Sequence, residues 1–172
     1  MERLDARAAP AGLDPCASAR VGLGVELGLA SRWRLAAETG RSVSHADFGL
    51  LVSPGVNLER ADTSLELRLQ VLSRFGWRVR PAVGVGRLRL AYHPDQLGVD
   101  SGGTPLVVAL PPLAVWTRYV AAELLHSLGG RNEIALRCGG RFYDLEVATP
   151  DGVRRSGRRD LQVGARLRVA LF

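Results

Sequence analysis

The stretch Val21-Gly22-Leu23-Gly24-Val25-Glu26-Leu27-Gly28-Leu29-Ala30 decides how the chain is read. Val21, Leu23, Val25, Leu27 and Leu29 share one parity, and Gly22, Gly24, Glu26, Gly28 and Ala30 the other. A helix would scatter the five large apolar side chains around its circumference, whereas a strand puts them on one face. The opposite face is small apart from one carboxylate.

The same alternation recurs downstream. Trp33, Leu35, Ala37 and Thr39 oppose Arg34, Ala36 and Glu38; Leu65, Leu67, Leu69 and Val71 oppose Glu66, Arg68, Gln70 and Leu72. Trp77, Val79, Pro81, Val83 and Val85 oppose Arg78, Arg80, Ala82, Gly84 and Gly86, after which a phase slip at Gly86 hands the apolar face to Leu88, Leu90 and Tyr92. Ile134, Leu136 and Cys138 face outward, with a second slip at Gly139-Gly140 before Tyr143, Leu145 and Val147. Leu161, Val163, Ala165, Leu167, Val169 and Leu171 oppose Gln162, Gly164, Arg166 and Arg168. Pro112 to Leu128 fits a strand with Leu113, Val115, Thr117, Tyr119 and Ala121 on the apolar side, and also a helix capped by Gly129-Gly130. Its neighbours on both sides favour the strand.

Connections alternate in length. Ser31-Arg32, Ser73 to Gly76 and Ser127 to Asn132 are short, whereas Ser42 to Thr63, His93 to Ala109 and Thr149 to Arg159 are long. Short turns at one end and long loops at the other describe an up-and-down meander. The fold expected is all-β: an antiparallel meander of about seven visible strands, forming an eight-stranded barrel complete or lacking one strand. Two regions are expected, a flexible polar segment over 1–19 and a barrel domain over 20–172.

Composition narrows the function classes. Of 172 residues, 47% are hydrophobic, enough for a core. The basic residues are all arginine, 23 against 17 Asp+Glu, and they alternate with apolar residues instead of forming a run. That pattern argues against nucleic acid as a partner. No segment approaches the ~18 uninterrupted apolar residues of a transmembrane helix. Leu13-Asp14-Pro15-Cys16 has no apolar run before it and is not a lipidation box. Cys16 and Cys138 read as unrelated thiols, with a disulfide as the alternative.

No catalytic or metal constellation emerges. His45-Ala46-Asp47 and His93-Pro94-Asp95 read as ordinary loop chemistry. His126-Ser127 lacks a supporting acid at a recognisable spacing. The glycines of Gly22 to Gly28 have the wrong spacing for a phosphate loop and lie within a strand. No catalytic, cofactor-binding or metal-ligating residue is assigned, and an enzyme is not expected.

Strands near ten residues match the ~9–11 that cross a bilayer at a tilt. Trp33 and Trp77 each open a strand after a short turn, at one level, and the chain ends in the aromatic Phe172. Over about residues 21–172 the chain thus resembles, in pattern, the small OmpA-type outer-membrane β-barrels. The resemblance implies an outer-membrane location, a lipid bilayer as partner, and a structural, surface-anchoring or minor pore role. Trp33, Trp77 and Phe172 would be interfacial aromatics. The inward faces would carry Glu26, Arg34, Glu38, Glu66, Arg68, Arg78, Arg80, Arg118, Arg137, Arg166 and Arg168, neutralising one another in a filled lumen. Met1 to Ala19 has no apolar central region, so no leader is recognisable. The matching expectation is that the first strand and a leader lie upstream of Met1. The alternatives are a soluble β-barrel holding an apolar ligand or protein partner, and a lipid-modifying barrel enzyme.

Overall fold

The computed structural model describes residues 3–5, 20–46, 56–101, 104–129, 132–149 and 152–169. Among these there is no helix. The strands are β1 (Arg3–Asp5), β2 (Arg20–Gly28), β3 (Trp33–Ala46), β4 (Val56–Leu69), β5 (Leu72–Arg74), β6 (Trp77–His93), β7 (Gln96–Ser101), β8 (Thr104–Ala109), β9 (Leu113–Gly129), β10 (Asn132–Thr149) and β11 (Gly152–Val169). The main sheet is an antiparallel meander, β2-β3-β4-β6-β9-β10-β11, with the short β5 paired to the start of β6. A separate small sheet has β8 between β7 and β1.

The meander follows from the alternating segments and the turns between them. At the tip between β5 and β6, Phe75 and Gly76 both have positive φ, 51° and 77°. Two successive left-handed residues are what a tight hairpin needs to match the strand twist. Leu113 to Gly129 is strand throughout, as its neighbours suggested, with Pro112 just before it.

Two expected phase slips are absent. β6 keeps one register with β4 and β9 through Gly86, and β10 keeps one register with β9 and β11 through Gly139-Gly140. The glycines serve close approach instead of a bulge. A Cβ on Gly139 would lie 2.5 Å from the Ala121 Cβ and 2.7 Å from the Val120 carbonyl oxygen. Leu88, Leu90 and Tyr92 are therefore buried on the inner face, as is Leu145, with Tyr143 half-buried beside it. The phase expected for β9 is also reversed: Thr117, Tyr119 and Ala121 point inward, and Trp116, Val120 and Leu124 outward.

All three connections expected to be long loops are built largely of strand, Ser42 to Thr63 being strand over 42–46 and 56–63. His93 to Ala109 contains the β7–β8 hairpin, and the polar stretch after Thr149 is already β11 from Gly152. That stretch is held as strand by continuous antiparallel pairing with β10 although arginine occupies both of its faces, so a polar composition did not mean a loop. The N-terminal segment contributes β1; residues 6–19, including Cys16, lie outside the described residues, as does Phe172.

β2 and β11 are the edges of the meander, and among the described residues no backbone ladder joins them, so these strands do not form a closed barrel. It nevertheless curls until its inner face meets itself. Arg168 on β11 contacts Glu26 on β2 at 2.8 Å, and Arg137 on β10 contacts Glu66 on β4 at 2.6 Å. A single curled layer explains why one face of every central strand is buried and the other exposed.

Candidate functional site: a paired interior beneath an apolar belt

The inner face divides into two zones along the strands. Toward the short turns it is charged. Arg68 lies at the centre, with Nη1 2.8 Å from Glu26 Oε2, Nη2 2.9 Å from Glu66 Oε2, and a further pair to Glu38. Arg137 holds Glu66 and also approaches Glu123 at 3.4 Å. Arg80 reaches Glu26 at 2.8 Å. From the last strand, Arg166 Nη2 donates to Glu38 Oε2 at 2.7 Å, and Arg168 Nη2 to Glu123 Oε2 at 2.8 Å. Four carboxylates and five guanidiniums thus form one connected network drawn from β2, β3, β4, β6, β9, β10 and β11.

Burial raises the stakes of that pairing. Glu66, Arg68, Arg80, Glu123 and Arg137 are all buried. An ion taken out of water is costly alone and tolerable when paired with good geometry. A second, smaller group lies farther along the strands. Arg20 donates to both oxygens of Asp62, at 2.9 and 2.8 Å, Arg141 sits 3.2 Å from the same carboxylate, and the Arg141 guanidinium stacks over Tyr119 at 5.1 Å.

Beyond this level the inner face carries an apolar cluster beside a few polar side chains, Arg60, Arg158 and Asp160. Leu58, Leu88, Leu90, Tyr92, Leu110 and Leu145 form one buried cluster, with Leu113, Val115 and Tyr143 packed against it. The outer face changes in the opposite sense. Toward the short turns it shows Leu65, Val83, Val85, Val120, Leu136, Val163 and Leu167 to the outside. Past Val85 and Val120 the outward positions carry Arg87, Arg89, Asp144, Glu146, Arg155 and Arg159.

Aromatic side chains mark both limits of the apolar belt. Trp33 and Trp77 lie at the short-turn end, and the ring of His126 rests against Trp77 with centroids 4.3 Å apart. Trp116 and Phe142 are exposed on the outer face at the other end. Register ties the two levels together: Trp77 pairs with His126, and Arg87 with Trp116. Ten residues of β6 therefore separate them, roughly 33 Å of strand, or about 25 Å of height at a barrel-like tilt of about 40°.

Most of the expected interior charges gather here: Glu26, Glu38, Glu66, Arg68, Arg80, Arg137, Arg166 and Arg168. Arg78 pairs separately with Glu133, and Arg34 donates to the turn carbonyls of Ala30 and Trp33 at 2.8 and 3.1 Å. Arg118 is a correction, since it is exposed on the outer face of β9. The reversed phase of that strand also hid Glu123, the most deeply buried acid of the network. A usable signal was present: with odd positions outward, Glu123 would have been the one carboxylate amid an apolar outer row, so its charge argued for the other phase.

No protein-family model, curated protein or solved structure matches the chain. The site therefore has to be read from its chemistry. Among the described residues no group of His, Cys, Asp and Glu could hold a metal ion. Cys138 carries a free thiol on the outer face. His93 lies 3.4 Å from Glu59, and the His126 ring is engaged by Trp77. The described residues bring no nucleophile together with a base and an orienting acid, which nucleophilic hydrolysis needs.

Proposed function

We propose that the chain is an outer-membrane β-barrel protein that serves as a structural scaffold or surface anchor. The observation that carries this reading is the double inversion of polarity. Within the belt the outside is apolar and the inside charged; beyond it the outside is charged, and the inside gathers an apolar cluster beside Arg60, Arg158 and Asp160. In water alone, one inner core along the whole length would bury more apolar surface. The inversion makes sense where part of the outer face meets hydrocarbon and the rest meets water.

The dimensions agree. A belt of about 25 Å bounded by aromatic girdles is the pattern of transmembrane barrels. Trp33, Trp77, Trp116 and Phe142 would lie at the two interfaces, where an amphipathic indole is best placed. Arg118, one outward step below Trp116, can turn its guanidinium to the boundary, in company with Arg87 and Arg159. The ion-paired interior favours a filled lumen over a conducting one, because each of the five arginines of the network already has a carboxylate.

Refolding into vesicles tests this directly. Brominated lipids quench tryptophan by contact, so bromines near the headgroup should quench Trp33, Trp77 and Trp116 more than bromines at the acyl terminus. A folded monomer in detergent-free buffer, with fluorescence indifferent to vesicles, would instead establish the soluble reading.

A further inference from the structure

The two edge strands cannot complete the cylinder between themselves. Every ladder from β2 through β3, β4, β6, β9 and β10 to β11 is antiparallel. Seven alternating strands leave the first and last running in the same direction. One strand placed between them would run antiparallel to both and satisfy both backbone edges, which no described residue pairs.

The ion pairs across the seam are compatible with the width of a single strand. Arg168 and Glu26 meet across it, and Arg166 meets Glu38. Two edges with one strand between them lie roughly 9.6 Å apart, twice the usual strand spacing. An arginine and a glutamate extended toward each other bridge that distance. A second copy of the curled sheet inserted there would pull Arg168 away from Glu26, so the pair argues against a dimer.

Side-chain exposure points to the same place. Within the ion-pair network, Arg166 is 24% exposed, Glu26 22% and Arg168 18%, whereas Glu66 is 2% and Glu123 0%. On the outer face, Leu23 and Leu161 at the edges are 81% and 79% exposed, against 55% for Val83 in the middle. Gly164, on the inner face of β11, has no atom within 4 Å of where its Cβ would stand. That space is open to a neighbouring side chain.

The geometry points to a strand-acceptor seam between β2 and β11 that takes one extended amphipathic segment of a partner polypeptide, antiparallel to both edges. The segment spans about ten residues, with apolar side chains at alternate positions to continue the belt. Its inward positions are small or carboxylate-bearing. Five guanidiniums face four carboxylates in the network, and the Arg80 and Arg137 Nε atoms are buried without a partner. This inference rests on strand direction and the ion pairs, and holds whether lipid or water meets the outer face.

The test uses the whole chain, folded in detergent micelles or in buffer, and a synthetic peptide of about ten residues. The peptide alternates Leu or Val with Ser and carries one central Glu. Backbone amide exchange is followed strand by strand. At ten times its Kd the peptide should slow exchange in β2 and β11 together by about tenfold and leave β6 unchanged. A peptide with Arg in place of the Glu should protect less. The inference is overturned if β2 and β11 are already as protected as β6 without peptide, if only one edge or neither responds, or if a peptide of scrambled pattern protects equally well. None of these results depends on the vesicle experiment above.

Discussion

Arg137 holds both oxygens of Glu66, at 2.6 and 2.7 Å, although 71 positions separate the two residues in the chain. The pair joins β10 to β4 across the inside of the curled sheet, and both partners are buried. Removing one member strands the other. Glu66→Gln should therefore cost about 3–5 kcal/mol, because Arg137 and Arg68 lose a shared counter-charge in a site water does not reach. The double variant Glu66→Gln/Arg137→Met should recover part of the loss. Urea titration of the two single variants and the double variant measures the coupling, and a coupling energy near zero would refute this account of the network.

The outer belt is tested by a charge at its middle. Val83 lies on the exposed face of β6, about midway between Trp77 and Arg87. In a bilayer, Val83→Arg should destabilise the folded state by about 2–4 kcal/mol. Arg87→Val, at the boundary, should change stability far less. The comparison is made by reversible unfolding from lipid vesicles. Equal and small effects at both positions would place the belt in water.

Two glycines on the inner face should respond in opposite ways. Gly139→Ala drives a methyl against Ala121 and the Val120 carbonyl and should cost about 1–3 kcal/mol, as overpacking does. Gly164→Ala meets open space and should be neutral or slightly stabilising, since alanine has less freedom to lose on folding. Thermal or urea unfolding of the two variants side by side checks the contrast.

At the β5–β6 tip, Gly76 with φ 77° should not tolerate a side chain, and Gly76→Ala should cost about 1–2 kcal/mol. Phe75, also left-handed and fully displayed to the outside, is the unusual residue of the pair. Phe75→Asn should be neutral or stabilising, because Asn-Gly is the favoured pair for such a turn. Loss of stability on Phe75→Asn would show that the contact of the phenyl ring with the Arg74 guanidinium, 4.8 Å from its centre, outweighs the turn preference.

Alternation told which segments were strands, and the short turns told that they run as a meander, because both signals are local. It also separated charged from apolar faces wherever one parity was uniform, as in β2, β3 and β11. It failed where both parities carried apolar residues. In β9, Thr117 and Tyr119 compete with Trp116 and Val120, and periodicity cannot choose between them. In β6 and β10, the reading placed the apolar residues on one face along the whole strand, and so a slip was inferred at each glycine. The strand in fact continues while the environment reverses.

The sequence by itself determined the seven long strands of the meander, their order, and most of the arginine and carboxylate in step with them, since a pleated backbone fixes side-chain parity every two residues. Only the tertiary structure decided which charges meet. Curling the sheet brings Glu26 and Glu38 to Arg168 and Arg166, and adds Glu123, whose own charge was the one local sign of the phase of its strand. It also decided where polarity inverts and that a seam remains between β2 and β11. These are properties of the surface formed when distant strands close around one interior, and no stretch of chain contains them alone.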